Sequence, residues 1–179
     1  ASRFQITSND LNGELIWPSD MLQPVKLNIQ SLYLPFSKMS VGNSVKKFKT
    51  NINWSIPTVE LNIKELHAKA WPHLKTSQLT ATLKPYGQGL SLNHIILKNP
   101  DFFMEGMMDW QWQGQEKTTY KGQINVVDAA KLFDSFNKAP SMNSQQAYAK
   151  IALTWQGNPN ELALQKLNGQ LAIELHNGR

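Results

Sequence analysis

The feature that most constrains this chain is the alternation of apolar and polar residues along most of its length. Val25, Leu27 and Ile29 alternate with Lys26 and Asn28. The same period of two recurs in Phe4–Ile6, Leu15–Trp17, Ile52–Ile56, Val59–Ile63, Leu79–Leu83, Leu90–Leu92, Met104–Trp112, Tyr120–Val126, Ile151–Trp155 and Leu171–Leu175. Successive side chains of a strand point to opposite faces, so this period predicts strands with one apolar and one solvated face. Antiparallel sheets with one covered face have this pattern, whereas parallel sheets usually have continuous apolar runs.

Turn-forming residues separate the alternating runs at short intervals. They are Asn12-Gly13, Pro18-Ser19-Asp20, Gly42-Asn43, Pro85-Tyr86-Gly87, Asn99-Pro100-Asp101, Gly157-Asn158-Pro159-Asn160 and Asn168-Gly169. Short strands joined in this way indicate a long meander of hairpins. We therefore expect a mainly β protein built on a long antiparallel sheet.

One stretch, residues 128–136, departs from the period of two. Asp128 is a suitable N-cap, and Ala129, Leu132, Phe133 and Phe136 follow at helical spacing. This pattern predicts one short amphipathic helix near residues 128–136.

The composition is polar but weakly charged, and it argues against disorder. Charged residues make up 17% of the 179 residues, while 16 Asn and 14 Gln supply much of the remaining polarity. Six Trp, seven Phe and four Tyr are too many for a solvated tail. No apolar run reaches the length of a membrane-spanning helix. The chain starts at Ala1 without a native start, so we interpret residues 1–179 as a single fragment of a longer protein.

The basic excess is local and does not favour nucleic acid as a partner. The net charge of +5 comes from residues 1–89, with a cluster at Lys38, Lys46, Lys47 and Lys49. Arginine, which makes bidentate contacts to phosphate and guanine, occurs only at Arg3 and Arg179. A solvated Lys-rich loop is the better interpretation of the cluster.

No group of residues with catalytic or metal-binding spacing is present. The chain has no Cys, which excludes disulfides and a thiol nucleophile, and its four His are scattered. Glu105 and Asp109 have the residue types of a glycosidase pair, but acids within an alternating run usually belong to the solvated face. We therefore expect no enzymatic activity, no cofactor and no bound metal.

The apolar faces leave two architectures open. They form either the closed core of a sandwich or barrel, or one face of an open sheet that binds an apolar ligand. Both predict one apolar face per strand, so periodicity alone does not decide between them.

Several segments resemble, in order and spacing, the repeats of AsmA-like proteins. The similar segments are Ser8–Leu34, Trp54–Leu66, Asn99–Trp110, Thr118–Ala129, Ile151–Pro159 and Leu167–Arg179, with sequences such as Trp155-Gln156-Gly157-Asn158-Pro159 and Leu167-Asn168-Gly169-Gln170-Leu171. Taken together, the chain resembles the C-terminal part of YhdP-like proteins in the AsmA superfamily. Trp71-Pro72-His73-Leu74 departs from the pattern, where the family tends to have a Gly-Leu turn.

The resemblance implies a sheet curved into an open trough, or β-groove, in a periplasmic protein that an N-terminal helix anchors in the inner membrane of Gram-negative bacteria. Such proteins are thought to carry phospholipid acyl chains toward the outer membrane, with protein partners in both membranes. In a trough, residues of one parity line the floor. The expected lipid-binding residues are Leu27, Ile29, Leu61, Ile63, Leu83, Leu92, Ile124, Val126, Leu153, Ile173 and Leu175.

Two other functions remain open at this stage. One is an outer-membrane assembly or protein-interaction module that uses open sheet edges to bind strands. The other is a closed β-domain with a structural role.

Overall fold

The computed structural model describes residues 1–20, 22–34, 57–68, 77–128, 146–159 and 167–176. Strands account for 76% of these residues, and there is essentially no helix among them. The ten strands are β1 (Ser2–Thr7), β2 (Leu11–Trp17), β3 (Val25–Leu34), β4 (Val59–Ala68), β5 (Ser77–Pro85), β6 (Gly89–Lys98), β7 (Phe102–Gln111), β8 (Lys117–Val126), β9 (Gln146–Gln156) and β10 (Asn168–His176).

All ten strands form one sheet whose order follows the order of the sequence. The sheet is not closed into a barrel, so β1 and β10 are its two edges. The mainly β fold that the alternation predicts and the open sheet that the resemblance implies are therefore confirmed. The helix expected near residues 128–136 falls almost wholly outside the described residues, of which Asp128 is the last in that part of the chain.

One strand pair departs from the antiparallel arrangement that was expected for most of the sheet. β3 and β4 run parallel, with Val25 opposite Val59 and Ile29 opposite Ile63, and the other eight pairs are antiparallel. Parallel neighbours need a long crossover connection. The 24 residues between β3 and β4 (35–58) are long enough for such a crossover.

Two of the expected turns lie within strands instead. Asn12 and Gly13 belong to β2, and Asn168 and Gly169 begin β10. At Gly13 a Cβ atom would lie 2.5 Å from the backbone oxygen of Asn28, so the close approach of β3 favours glycine there. The preceding turn is made instead by Ser8, whose Oγ accepts a hydrogen bond from the backbone N–H of Leu11 at 3.1 Å.

Other turns lie where turn chemistry predicts them. Gly87, in the hairpin between β5 and β6, has a φ of 55°, a left-handed conformation that glycine adopts without a Cβ penalty. Between β6 and β7, the Oδ1 atom of Asn99 accepts hydrogen bonds from the N–H groups of Asp101 and Phe102 at 2.8 and 2.9 Å. These bonds close an Asx turn and set the start of β7.

Extra residues in β3, β4 and β6 interrupt the regular register. β3 gains one residue against β2, β4 gains one against β5, and β6 gains one against both of its neighbours. His94, in the irregular part of β6, has a φ of 50°. Bulges bend strands and increase their twist, which curls a sheet without breaking it.

Candidate apolar binding face

The register places one apolar side chain beside another from the first strand to the last. Directly paired residues of neighbouring strands lie on the same face of a sheet. Through these pairs, and past the bulge of β6 that lies opposite Ala81, one row crosses the molecule: Phe4, Leu15, Leu27, Leu61 and Ala81 from β1 to β5, then Ile95, Gly106, Gly122, Ile151 and Leu171 from β6 to β10. We call the face that carries this row the apolar face, and the other the polar face.

All eleven residues that the sequence analysis selected lie on the apolar face. Leu27 pairs with Leu61 and Ile29 with Ile63. Leu153 in β9 lies in the same row as Leu83 and Leu92. Ile124 and Ile173 share a second row, and Val126 and Leu175 share a third. None of the described strand residues on this face is Lys, Arg, Asp or Glu. The structure thus brings the eleven onto one surface, and their contact with lipid stays a prediction.

Exposure on the apolar face is high at both edge strands, and Phe4 in β1 is 52% exposed. Ile29 and Ile63 in the first half are 4% and 2% exposed, whereas Ile173 and Leu175 in β10 are 58% and 45% exposed. The eight most buried apolar residues of the described chain, Val25, Ile29, Ile63, Ala81, Ile95, Phe102, Val126 and Trp155, all belong to this face. No second layer of strands covers them in the described ranges.

A two-glycine notch lies in the middle of the apolar face. Gly106 and Gly122 are directly opposite each other in β7 and β8. The ring of Tyr120 lies over both, because a Cβ atom at Gly106 would come within 2.8 Å of the Tyr120 hydroxyl oxygen. Glycine at both positions therefore makes room for an aromatic ring that covers bare backbone.

The hydroxyl of Tyr120 is buried in this notch without a hydrogen-bond partner. Desolvation by burial raises the pKa of Tyr120 above its ordinary value of 10.0. The other fully buried hydroxyl of this face, at Thr118, is satisfied because its Oγ1 donates to the backbone oxygen of Gly157 at 2.8 Å.

Tryptophan is concentrated along one side of the apolar face. We call this side the tryptophan rim; β1, β3, β4, β6, β8 and β10 begin there, and β2, β5, β7 and β9 end there. Trp17 ends β2, Trp110 and Trp112 lie at the end of β7, and Trp155 lies near the end of β9. Trp110 and Trp112 pack edge to face with ring centroids 5.0 Å apart. The sequence analysis noted their parity but did not select them, because period two does not reveal at which strand end a residue lies.

The polar face is held together by hydrogen bonds between strands. The buried Oγ of Ser91 donates to Asp109 Oδ1 at 2.6 Å. Glu105 accepts from Gln123, whose side-chain oxygen accepts from the Tyr148 hydroxyl at 2.6 Å. Glu105 and Asp109, the two acids with the residue types of a glycosidase pair, thus both lie on the polar face and bond to neighbouring strands.

Two cavities open on the polar face, and both have mixed polar linings. One of about 220 Å³ is bordered by Tyr86, Asp109, Lys117 and Lys121, and one of about 410 Å³ by Glu14, Asn28 and Asn62. The described residues include no group of His, Asp or Glu side chains placed to hold a metal ion. Nor do they include a helix long and apolar enough to cross a membrane.

The fold and the face define a class of protein: an open, single β-sheet with one continuous uncharged apolar surface. A family model described as YhdP protein matches residues 1–179, and the chain belongs to that family. A search of curated proteins found no match, and neither did a search of solved structures.

Proposed function

We propose that this chain is a segment of a periplasmic lipid-transfer bridge, in which the apolar face carries phospholipid acyl chains between the inner and outer membranes. The observation that supports this most directly is the unbroken row of uncharged residues across all ten strands of an open sheet. Membership of the YhdP family is consistent with lipid transport.

The physical basis is the transfer of acyl chains from water to an apolar surface. Each CH₂ group buried contributes about 0.8 kcal/mol, so a two-chain lipid strongly favours such a surface over water. The absence of carboxylates and ammonium groups from the described part of the face means that an acyl chain meets no desolvated charge along it. The lipid moves passively along the face, or a component outside this chain drives it.

The polar face supports the same proposal from the other side. It carries amide side chains such as Asn28, Asn62 and Gln123. It also carries exposed ion pairs such as Lys26–Glu60 at 3.7 Å. A sheet with this polarity stays soluble on one face while the other holds lipid. In this proposal the parent protein is periplasmic, anchored in the inner membrane, and needs neither catalysis nor a cofactor.

A second function, strand addition at a sheet edge, is favoured by the exposure of β10. All nine residues of β10 are exposed, and the strand has no Pro, Lys or bulge among them. Natural proteins usually protect a free edge with such features or with charged side chains, of which β10 has only Glu174, so this weakly protected edge is suited to pairing with another strand. A closed β-domain is not supported, because the sheet is not closed into a barrel.

Photocrosslinking at neighbouring positions of one strand tests the proposal. Leu153 lies on the apolar face of β9 and Thr154 on its polar face, and both are half-buried. A photoreactive residue at Leu153 should capture phospholipid, and the same residue at Thr154 should not. Equal capture from both faces, or capture from neither, would contradict lipid carriage and favour the edge-pairing function.

A charge on the apolar face tests transport in the parent protein. Leu153→Asp or Ile173→Asp places a carboxylate in the path of the acyl chains, so lipid flux should fall more than protein abundance. The matched control is Thr154→Asp, which adds the same charge to the polar face. Equal losses of flux from Leu153→Asp and Thr154→Asp would count against the proposal.

A further inference from the structure

The four described tryptophans share the tryptophan rim, although they come from β2, β7, β9 and the turn after β7. Trp17 is 39% exposed, Trp155 is 4% exposed, and Trp110 and Trp112 lie between these values. Residues far apart in sequence have therefore been brought to one side of the apolar face.

Two of the four indoles, those of Trp110 and Trp155, donate their N–H to groups beyond the strand ends. Trp110 Nε1 donates to Glu116 Oε1 at 3.1 Å, and Trp155 Nε1 donates to the backbone oxygen of Asn158 at 3.0 Å. Both acceptors belong to the connections beyond the strand ends. Each of these two rings thus has its polar edge at a connection and its apolar body on the apolar face, which is the arrangement that makes Trp favourable at the boundary between water and lipid.

The opposite rim has a different chemistry. On the apolar face it carries Leu11, Leu32, Leu66, Phe102, Val126 and Leu175, and the described strands place no Trp there. Phe102 and Val126 form a buried cluster with Leu97, Met104, Ile124 and Ala147 at this side. One rim is therefore amphipathic, and the other is aliphatic and aromatic without indole.

The length of the strands suits a lipid that lies along them, with its headgroup always at the same rim. Residues of one face are about 6.7 Å apart along a strand, so the span from Trp110 to Phe102 is about 27 Å. One leaflet of a bilayer has a hydrocarbon depth of about 15 Å, half of the full core. A lipid whose polar part lies at one rim would therefore extend its acyl chains two to three residues of the face inward, to about Gly106 or Met104.

We infer that the tryptophan rim is where the glycerol and headgroup of a bound phospholipid lie, with the acyl chains directed toward the opposite rim. This inference rests on the proposed function and adds the orientation of the bound lipid to it. The amphipathic rings offer the ester and glycerol region a boundary that the opposite rim lacks.

Two phosphatidylcholine probes test the polarity on the intact 179-residue chain. One carries a diazirine on the headgroup, and the other carries it at the methyl end of an acyl chain. After illumination, mass spectrometry compares labelling at Leu90 and Leu97, which lie on the same face of β6 at the tryptophan rim and toward the opposite rim. The headgroup probe should favour Leu90 by about fivefold, which corresponds to about 1 kcal/mol between the two orientations, and the acyl probe should favour Leu97.

A double variant then tests the role of the indoles. Trp17→Leu with Trp112→Leu keeps the rim apolar but removes two amphipathic rings, so the fivefold preference should fall toward equal labelling. Trp17→Tyr with Trp112→Tyr, which keeps a polar edge on each ring, should retain most of the preference. Circular dichroism checks that each variant folds, and labelling of the unaltered chain decides the polarity on its own.

The outcomes separate this inference from the proposed function. Equal or reversed labelling of Leu90 and Leu97 by the two probes would overturn the polarity while leaving lipid carriage in place. An unchanged preference in the double Leu variant would overturn the role of the tryptophans. Absence of labelling by both probes would end the proposed function and the inference with it.

Discussion

The hydroxyl of Tyr120 is the one buried polar group on the apolar face, within the described ranges, that has no hydrogen-bond partner. Its ring packs on the backbone of Gly106 and Gly122, and this packing leaves the hydroxyl buried without a hydrogen bond. An unsatisfied buried group of this kind costs about 1–3 kcal/mol. The aromatic ring, and not the hydroxyl, is therefore what the fold needs at this position.

Removing that hydroxyl should not weaken the fold. We expect Tyr120→Phe to leave the free energy of unfolding unchanged or to raise it by about 1 kcal/mol, because an unpaired buried group is lost. Tyr148→Phe is the matched control: it removes a hydroxyl that donates to Gln123, and should lower the free energy by about 1 kcal/mol. Urea denaturation measures both. A larger loss from Tyr120→Phe than from Tyr148→Phe would show that the buried hydroxyl has a partner.

The raised pKa of Tyr120 predicts a loss of stability in alkali. Below pH 10 the hydroxyl is protonated in both states, so it makes no pH-dependent difference. Above the unfolded value of 10.0 the unfolded state ionises first, because desolvation raises the pKa of the folded state. Stability should therefore fall as the pH rises from 10 through the raised pKa, and Tyr120→Phe should reduce that fall. An equal fall in both proteins, measured by denaturation between pH 8 and pH 11, would exclude Tyr120 as its source.

Among the apolar strand residues of the apolar face, the most buried is in β4 and the most exposed are in β10. Ile63 in β4 is 2% exposed and Ile173 in β10 is 58% exposed, although both occupy apolar positions of alternating strands. A carboxylate at a buried position is costly because it loses water without gaining a partner. The same carboxylate in β10 keeps most of its hydration.

The paired substitutions Ile63→Asp and Ile173→Asp should therefore have very different effects. We expect Ile63→Asp to lower the free energy of unfolding by about 3 kcal/mol or more, and Ile173→Asp to lower it by about 1 kcal/mol or less. Thermal unfolding followed by circular dichroism measures both. Similar losses would mean that β10 is covered in solution.

The sequence predicts those properties of the strands that depend on neighbouring residues of the chain, and it does not predict those that depend on which strands pair. Alternation is local, so it correctly places the eleven selected residues on one face. The change from even to odd apolar positions between Leu92 and Ile95 likewise marks the bulge in β6. Pairing is not local. Alternation favours antiparallel neighbours, because parallel strands are usually covered on both faces; β3 and β4 are parallel but alternate, so the pattern did not reveal this pair. The packing of Tyr120 over Gly106 and Gly122 also depends on the register of β7 against β8.

In the molecule as a whole, the strands lie in the sheet in the same order as they occur in the chain. Each strand pairs only with the strands that precede and follow it, so stability is close to a sum of neighbouring interfaces, as in repeat proteins. A terminal strand can then be lost without changing any other pairing.

Truncation before Asn168 tests this additivity. The shortened chain removes β10, and β1 to β9 should keep their fold, with a lower denaturation midpoint because the partner of β9 is lost. Its far-UV circular dichroism per residue should stay strand-rich. Complete unfolding would show instead that the sheet is one cooperative unit that needs its last strand.

The parallel pair of β3 and β4 has a consequence for every strand that follows it. In a simple meander each new strand reverses direction. Odd-numbered strands then end at one margin of the sheet, and even-numbered strands end at the other. The crossover before β4 repeats a direction and shifts this count by one. Had β4 run antiparallel to β3, the ends of β7 and β9 would lie on the margin opposite Trp17, and the four indoles in the described residues would be divided between both sides. Inserting or deleting a single strand in such a protein would exchange its two margins from that point onward, whereas gaining or losing a whole hairpin would preserve them.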